Sequence, residues 1–216
     1  MSLALSAYIV GFSGAMAPGP LSAMTIAESA RRGFRAGPLL TLGHAVAEAM
    51  MVAALALGLS SFFQHTVVKG SIALVGGAVL VWMGAGLVNA VGRGRMTLAR
   101  DPAVGAAVAA ADDVRTGVLV SMSNPYWMLW WATVGATYVV MALGYGLLGL
   151  GIFFFGHIMS DLSWNSLLAF AVSSGRRLLN ERIYAAALAI CGAFLVIMGV
   201  TFAWAGLRFL GVLPAS

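Results

Sequence analysis

Charge is what this sequence has least of. Only 9% of its 216 residues are Asp, Glu, Lys or Arg, while 61% are hydrophobic. Soluble domains carry about 25% charged residues, so this chain cannot cover a water-facing surface and its solvent must be lipid. Cysteine is scarcer still. Cys191 stands alone, which excludes an intrachain disulfide, a dithiol redox couple and a cysteine-cluster metal site. Catalytic signatures are missing too: there is no H-E-x-x-H, no G-x-S-x-G and no phosphate-binding loop. An enzyme is not expected, and nothing calls for a cofactor.

The few charges stand in clusters with apolar stretches between them. A membrane helix needs about 20 apolar residues. Residues 1–27 and 70–92 carry no charge, and the next such stretch, 116–160, is too long for one span and divides naturally at Gly144-Tyr145-Gly146. The pattern predicts an all-α integral membrane protein with six transmembrane helices, at roughly 3–29, 39–62, 70–92, 116–141, 147–173 and 183–209. Between the third and fourth spans lies the one sizeable polar connection, 93–115, whose AVGAAVAAADDV reads as a short surface helix or a linker. The first span has no basic residue ahead of it, and its Ala15-Met16-Ala17 precedes Pro18, so it is expected to be retained rather than cleaved.

The net charge of +5 does not point to nucleic acid, because of where it sits. Arg31, Arg32 and Arg35 follow the first span; Arg93, Arg95, Arg100 and Arg115 follow the third; Arg176, Arg177 and Arg182 follow the fifth. Only Lys69 and Arg208 fall on the other side. The positive-inside rule then places those three connections in the cytoplasm and both termini outside a multi-pass cell-membrane protein.

Two phrases recur. Residues 43–48 read GHAVAE and residues 156–161 read GHIMSD; residues 16–20 read MAPGP and residues 122–125 read MSNP. Each half therefore has three spans, the first broken at proline and the second carrying Gly-His and then an acid four residues after the histidine. An odd number of spans per half inserts the copies in opposite orientations, as in many secondary transporters built from inverted repeats. The expected units are 1–92, the connection 93–115, and 116–216.

Proline inside a helix deletes a hydrogen bond and clashes with the preceding turn. Pro18, Gly19 and Pro20 interrupt the first span, with Pro20 suited to open a new half-helix; Asn124 and Pro125 are a good cap and first residue in the fourth. Each break can present a half-helix N-terminus to an anion such as a carboxylate. Ser22, Thr25, Tyr126 and Trp127 follow closely as candidate ligand contacts. His44 with Glu48, and His157 with Asp161, each share one helix face. A carboxylate at the centre of a membrane helix costs about 2.5–3.5 kcal/mol on insertion scales, and such residues usually line an ion or substrate path.

Three readings of this pocket stay open. A zwitterion would place its carboxylate at the half-helix termini and its ammonium on Glu48 or Asp161, with protons carried by the same groups. Alternatively His44, Glu48, His157 and Asp161 offer nitrogen and oxygen ligands to a divalent metal. The plainest reading is two structural His–carboxylate pairs. Trp130 and Trp131 sit near mid-span; Trp164 and Asn165 lie on the helix of Asp161. Glu28 with Arg31 and Arg32, and Glu181 beside Arg177 and Arg182, read as ion-paired helix ends. Gly76, Gly77, Gly84 and Gly86 are suited to close helix contact, within a protomer or in a homodimer.

MAPGP in the first span, ARRGFRAGP after it, a second span with one acid, and S-N-P in the fourth resemble the LysE/RhtB amino-acid exporter family. The resemblance covers nearly the whole chain. It implies an exporter of amino acids or their derivatives in the cytoplasmic membrane, driven by proton exchange, with a small-molecule substrate, protons and lipid as its partners. Glu48 stands where that family usually has Asp. The two G-H-x-x-x-acid phrases and NPYWMLWW depart from the typical exporter, and the wider superfamily includes exporters of heavy metals.

Overall fold

The computed structural model describes residues 2–17, 19–59, 62, 65–93, 106–175 and 181–212, which are helical with no strand among them. The first span is two helices, α1 (Leu3–Ala15) and α2 (Pro20–Arg32), whose axes are bent by 81°. Ser2 caps α1 through its Oγ, and Gly19, with extended backbone (φ −152°, ψ 176°), leads into Pro20 at the first turn of α2. Pro18 lies outside the described residues. The chain continues as α3 (Ala36–Ala56), α4 (Thr66–Gly92), α5 (Ala106–Met122), α6 (Pro125–Leu143), α7 (Gly146–Gly175) and α8 (Glu181–Phe209). Five of these helices are long and apolar enough to cross a membrane, and α1 with α2 makes a sixth if the bent pair is one span.

The boundaries differ from expectation in two places, each for a local reason. α3 stops at Ala56 instead of running to 62, because Gly58 takes a left-handed φ of 87° and lets the Leu59 N–H bond back to Ala54 O at 3.1 Å. Ahead of the break at 123–124, α5 already starts at Ala106, so residues 106–115 of the expected connection are helical and continuous with 116–122. Alanine is the best helix former. The turn at 144–146 falls where glycine placed it, with Gly146 at φ 69°.

The helices pair reciprocally. α1 packs on α7 and α5 packs on α3, while α4 and α8 pair with each other. The glycines of the two Gly-His phrases do the same job in both pairs. Gly43 on α3 lies against Val114 O of α5, and Gly156 on α7 faces Ala4 O of α1, so closely that neither position has room for a Cβ. The histidine that follows each glycine is thereby carried to a buried depth. α4 and α8 meet along a seam with glycine every seventh residue, at 70, 77 and 84 on one and 192, 199 and 206 on the other. A Cβ at Gly77 would lie 2.5 Å from Gly199 O, and one at Gly84 would lie 2.5 Å from Gly192 O. Such close backbone approach is how membrane helices gain dispersion energy without a hydrophobic drive. Gly76 instead faces Ser123 at the break before α6, and Gly86 meets nothing within 4 Å.

At the basic end of α2, Glu28 accepts from Arg31 at 2.8 Å and pairs with Arg32 at 3.1 Å. Arg32 also reaches Asp113 of α5 at 2.8 Å. The ion-paired helix end expected at 28–32 is present, and it ties the two broken spans together. Arg177 lies outside the described residues, as does the side chain of Glu181.

Candidate functional site: a carboxylate held by four nitrogens

Glu48 sits on α3, 1% exposed, with α6 and α7 packed around it. One of its oxygens, Oε1, carries almost all of the contacts. Trp131 Nε1 donates to it at 3.0 Å and Trp127 Nε1 at 3.2 Å. His44 Nε2 lies 3.1 Å away and His157 Nε2 lies 3.2 Å away. A buried charge costs several kcal/mol unless it is paired and hydrogen-bonded; the two indole N–H groups donate to it, and each imidazole Nε2 does so when it carries a proton. His157 crosses over: it approaches the acid of the other phrase more closely than its own Asp161, whose Oδ2 is 3.7 Å from His157 Nε2. Asp161 Oδ1 is also 3.7 Å from His44 Nε2.

The other polar atoms are unevenly provided for. Glu48 Oε2, Asp161 Oδ2 and His157 Nδ1 are buried with no hydrogen-bond partner. His44 Nδ1 has one, Ser121 Oγ at 2.6 Å, and that hydroxyl also donates to Gly117 O. Trp130 stacks on the His157 ring at a centroid distance of 4.9 Å and donates to Ser13 Oγ at 3.1 Å, which ties α6 to α1. Trp131 meets the same imidazole edge-on at 5.0 Å. Residues Trp131–Gly135 form a π-helical segment within α6, a local widening frequent at functional sites. It begins at the tryptophan that reaches Glu48.

A cavity of about 370 Å³ opens onto this cluster. His44, Glu48, His157 and Asp161 line it together, with Gly19, Ser22, Asn124, Tyr126, Trp127 and Asn165 from the expected set. Leu21, Trp130, Trp131, Met198 and Phe202 complete much of the wall. The remaining described residues of the expected set, Pro20, Thr25, Pro125 and Trp164, are not among its lining. Thr25 is behind the wall, where its hydroxyl donates to Asn165 Oδ1 at 3.0 Å. Pro20 is buried at the start of α2, Pro125 lines a second cavity, and Trp164 has a buried Nε1 with no partner.

The two half-helix N-termini differ. At α6 the Asn124 side chain accepts from Tyr126 N at 3.0 Å. At α2 no side chain caps the terminus, and Leu21 and Ser22 line the cavity there. Only the second leaves its first-turn amides uncapped by a side chain. Sequence reasoning passed over Ser121, Ser13, Met198 and Phe202. Ser121 left a faint signal, a hydroxyl inside an apolar run; Met198 and Phe202 left none.

Three candidate ligands, His44, Glu48 and Asp161, each offer one atom within 4.8 Å of the others, close enough to hold a metal ion. The indole N–H groups bear on this. They are donors only, and two of them point their positive ends at Glu48 Oε1, which disfavours a cation on that oxygen. Glu48 Oε2 and Asp161 Oδ2 remain as acceptors.

Comparison with known proteins agrees with this architecture. The family model described as LysE type translocator matches residues 12–206. The chain is 27% identical over 213 residues to the "Putative amino acid efflux protein YcgF" of Bacillus subtilis, covering 96% of this chain and 98% of that one. It is 30% identical over 200 residues to an uncharacterized membrane protein of Pseudomonas aeruginosa, covering 88% of this chain and 89% of the other. No solved structure matches the chain. With the match running through both broken spans and the carboxylate site, the chain belongs to the LysE type translocator family, and it is a multi-pass membrane transporter.

Proposed function

We propose that the protein exports amino acids across the cytoplasmic membrane by proton antiport. The observation that carries this reading is the division of labour at the carboxylates. Glu48 Oε1 is fixed by four nitrogens, while Glu48 Oε2 and Asp161 Oδ2 have no partner beside the cavity. Two acceptors without donors suit an ammonium. The uncapped start of α2 suits a carboxylate, through its amides and the helix dipole. A proton and the ammonium then compete for the same oxygens. Protonation discharges the amino acid and ammonium binding displaces the proton, which is the exchange that antiport requires. The name of the Bacillus relative, which gives amino acid efflux, supports the substrate class.

The reading includes two inverted three-helix repeats, 1–92 and 116–216 joined by 93–115, with both termini external. Its support is the reciprocal pairing of α1 with α7 and of α5 with α3, and the matching roles of Gly43 and Gly156. A divalent cation as cargo is the second reading, favoured by the close set of His44, Glu48 and Asp161. The N–H groups crowding Glu48 Oε1 weigh against it.

Counterflow into proteoliposomes separates the two. Vesicles loaded with a mixture of unlabelled amino acids should accumulate labelled amino acid from outside, and vesicles loaded with Zn, Co, Ni or Mn should not accumulate the metal. Metal counterflow without amino-acid counterflow would reverse the order.

A further inference from the structure

A second cavity, of about 200 Å³, adjoins the first. It shares Tyr126 and Phe202 with the central cavity, so the two are neighbours across those rings. Its walls are Ile72 and Ala73 of α4, Met128 and Leu129 of α6, and Ala205 and Phe209 of α8. None of these side chains bears a hydrogen-bonding group. One cation, half-buried Lys69, stands among the lining residues.

Resting on the function proposed above, we infer that this cavity receives the side chain of the carried amino acid and that the substrate is neutral and apolar there. The charged groups of the central cavity are already used by the ammonium and carboxylate common to every amino acid. What remains toward α8 is Met198, Phe202 and Tyr126, and beyond them apolar wall. A lysine or arginine side chain would lose its hydration against this largely apolar wall. A glutamate side chain would face the same apolar wall, since a lysine in such a place keeps its ammonium toward the headgroups and lends only its stem. A branched aliphatic or aromatic side chain removes apolar surface from water at about 25 cal/mol per Å². Phe202 stands at the junction and limits size; Ala205 is the small residue that keeps the space open.

The test is counterflow with labelled leucine, phenylalanine, alanine, lysine and glutamate in the purified full-length protein. Leucine and phenylalanine should exchange fastest, with lysine and glutamate at least about tenfold slower. Ala205→Phe fills the second cavity and should lower leucine exchange about tenfold relative to alanine, the scale of pocket discrimination between apolar side chains. Ala205→Leu should do the same more weakly, and Phe202→Ala should raise phenylalanine relative to leucine; these two keep the test open if Ala205→Phe does not fold. Lysine or glutamate exchanging as fast as leucine would overturn the inference while leaving amino-acid transport standing. So would leucine-to-alanine ratios that do not move in any variant. Failure of every amino acid to exchange would remove the function proposed above, and this inference with it.

Discussion

At Glu48 a single oxygen gathers two indole and two imidazole nitrogens between 3.0 and 3.2 Å. Hydrogen bonds to a charged group contribute about 1.5–3 kcal/mol each, and a buried carboxylate that loses a donor bears the desolvation. Trp131→Phe keeps most of the ring volume and deletes one donor. It should lower the unfolding midpoint in detergent by an amount corresponding to about 1.5–3 kcal/mol. Trp82→Phe, at a position 71% exposed on the lipid-facing surface, should leave the midpoint unchanged. Equal midpoints for the two variants would mean that the Trp131 contact does not hold the carboxylate. At this scale the sequence was partly legible. Four ionisable residues stand out where ionisation is expensive, so His44, Glu48, His157 and Asp161 could be named. The crossing of His157 to Glu48 could not, because it depends on how α3 and α7 face each other. Trp131 and Ser121 were hard to single out because a tryptophan or serine in an apolar run is ordinary.

The elements show the same division between local and tertiary cause. Both breaks were written in the chain, as A-P-G-P and S-N-P, because proline leaves a local mark. The uncapped α2 and the capped α6 follow from glycine at one cap and asparagine at the other. The π-helical segment of α6 left no such mark, since no residue type demands it. In the sequence the alanine-rich stretch stays open between helix and linker, because alanine suits either until a partner is seen; its described part, from Ala106, is helix. The α4–α8 seam was half legible: Gly77 and Gly84 stood out, but their partners at 192 and 199 did not. Gly199→Leu should test it, since a Cβ there would lie 2.6 Å from Gly77 O. Overpacking of this kind costs about 1–3 kcal/mol, so a lowered unfolding midpoint is expected. Gly86→Leu, at a position with nothing within 4 Å, should be tolerated. A tolerated Gly199→Leu would show that α4 and α8 are not closely packed.

For the whole molecule, the clustering of arginine is the basis of the proposed orientation, and the paired halves are the basis of the proposed exchange. In a Cys191→Ser background, Phe34→Cys lies in the basic connection between α2 and α3, and Tyr145→Cys lies in the turn between α6 and α7. An impermeant thiol reagent applied to whole cells should label the second and spare the first; the opposite pattern would invert the topology. The central claim is that amino acid and proton compete for the carboxylates of Glu48 and Asp161. The most direct measurement is proton movement in proteoliposomes, read by a trapped pH dye, when an amino acid that supports counterflow is added outside. Addition should drive protons outward with the wild-type protein. With Glu48→Gln or Asp161→Asn the proton signal should vanish in at least one variant while amino-acid counterflow persists. A proton signal undiminished in both variants, at equal amino-acid flux, would contradict the claim.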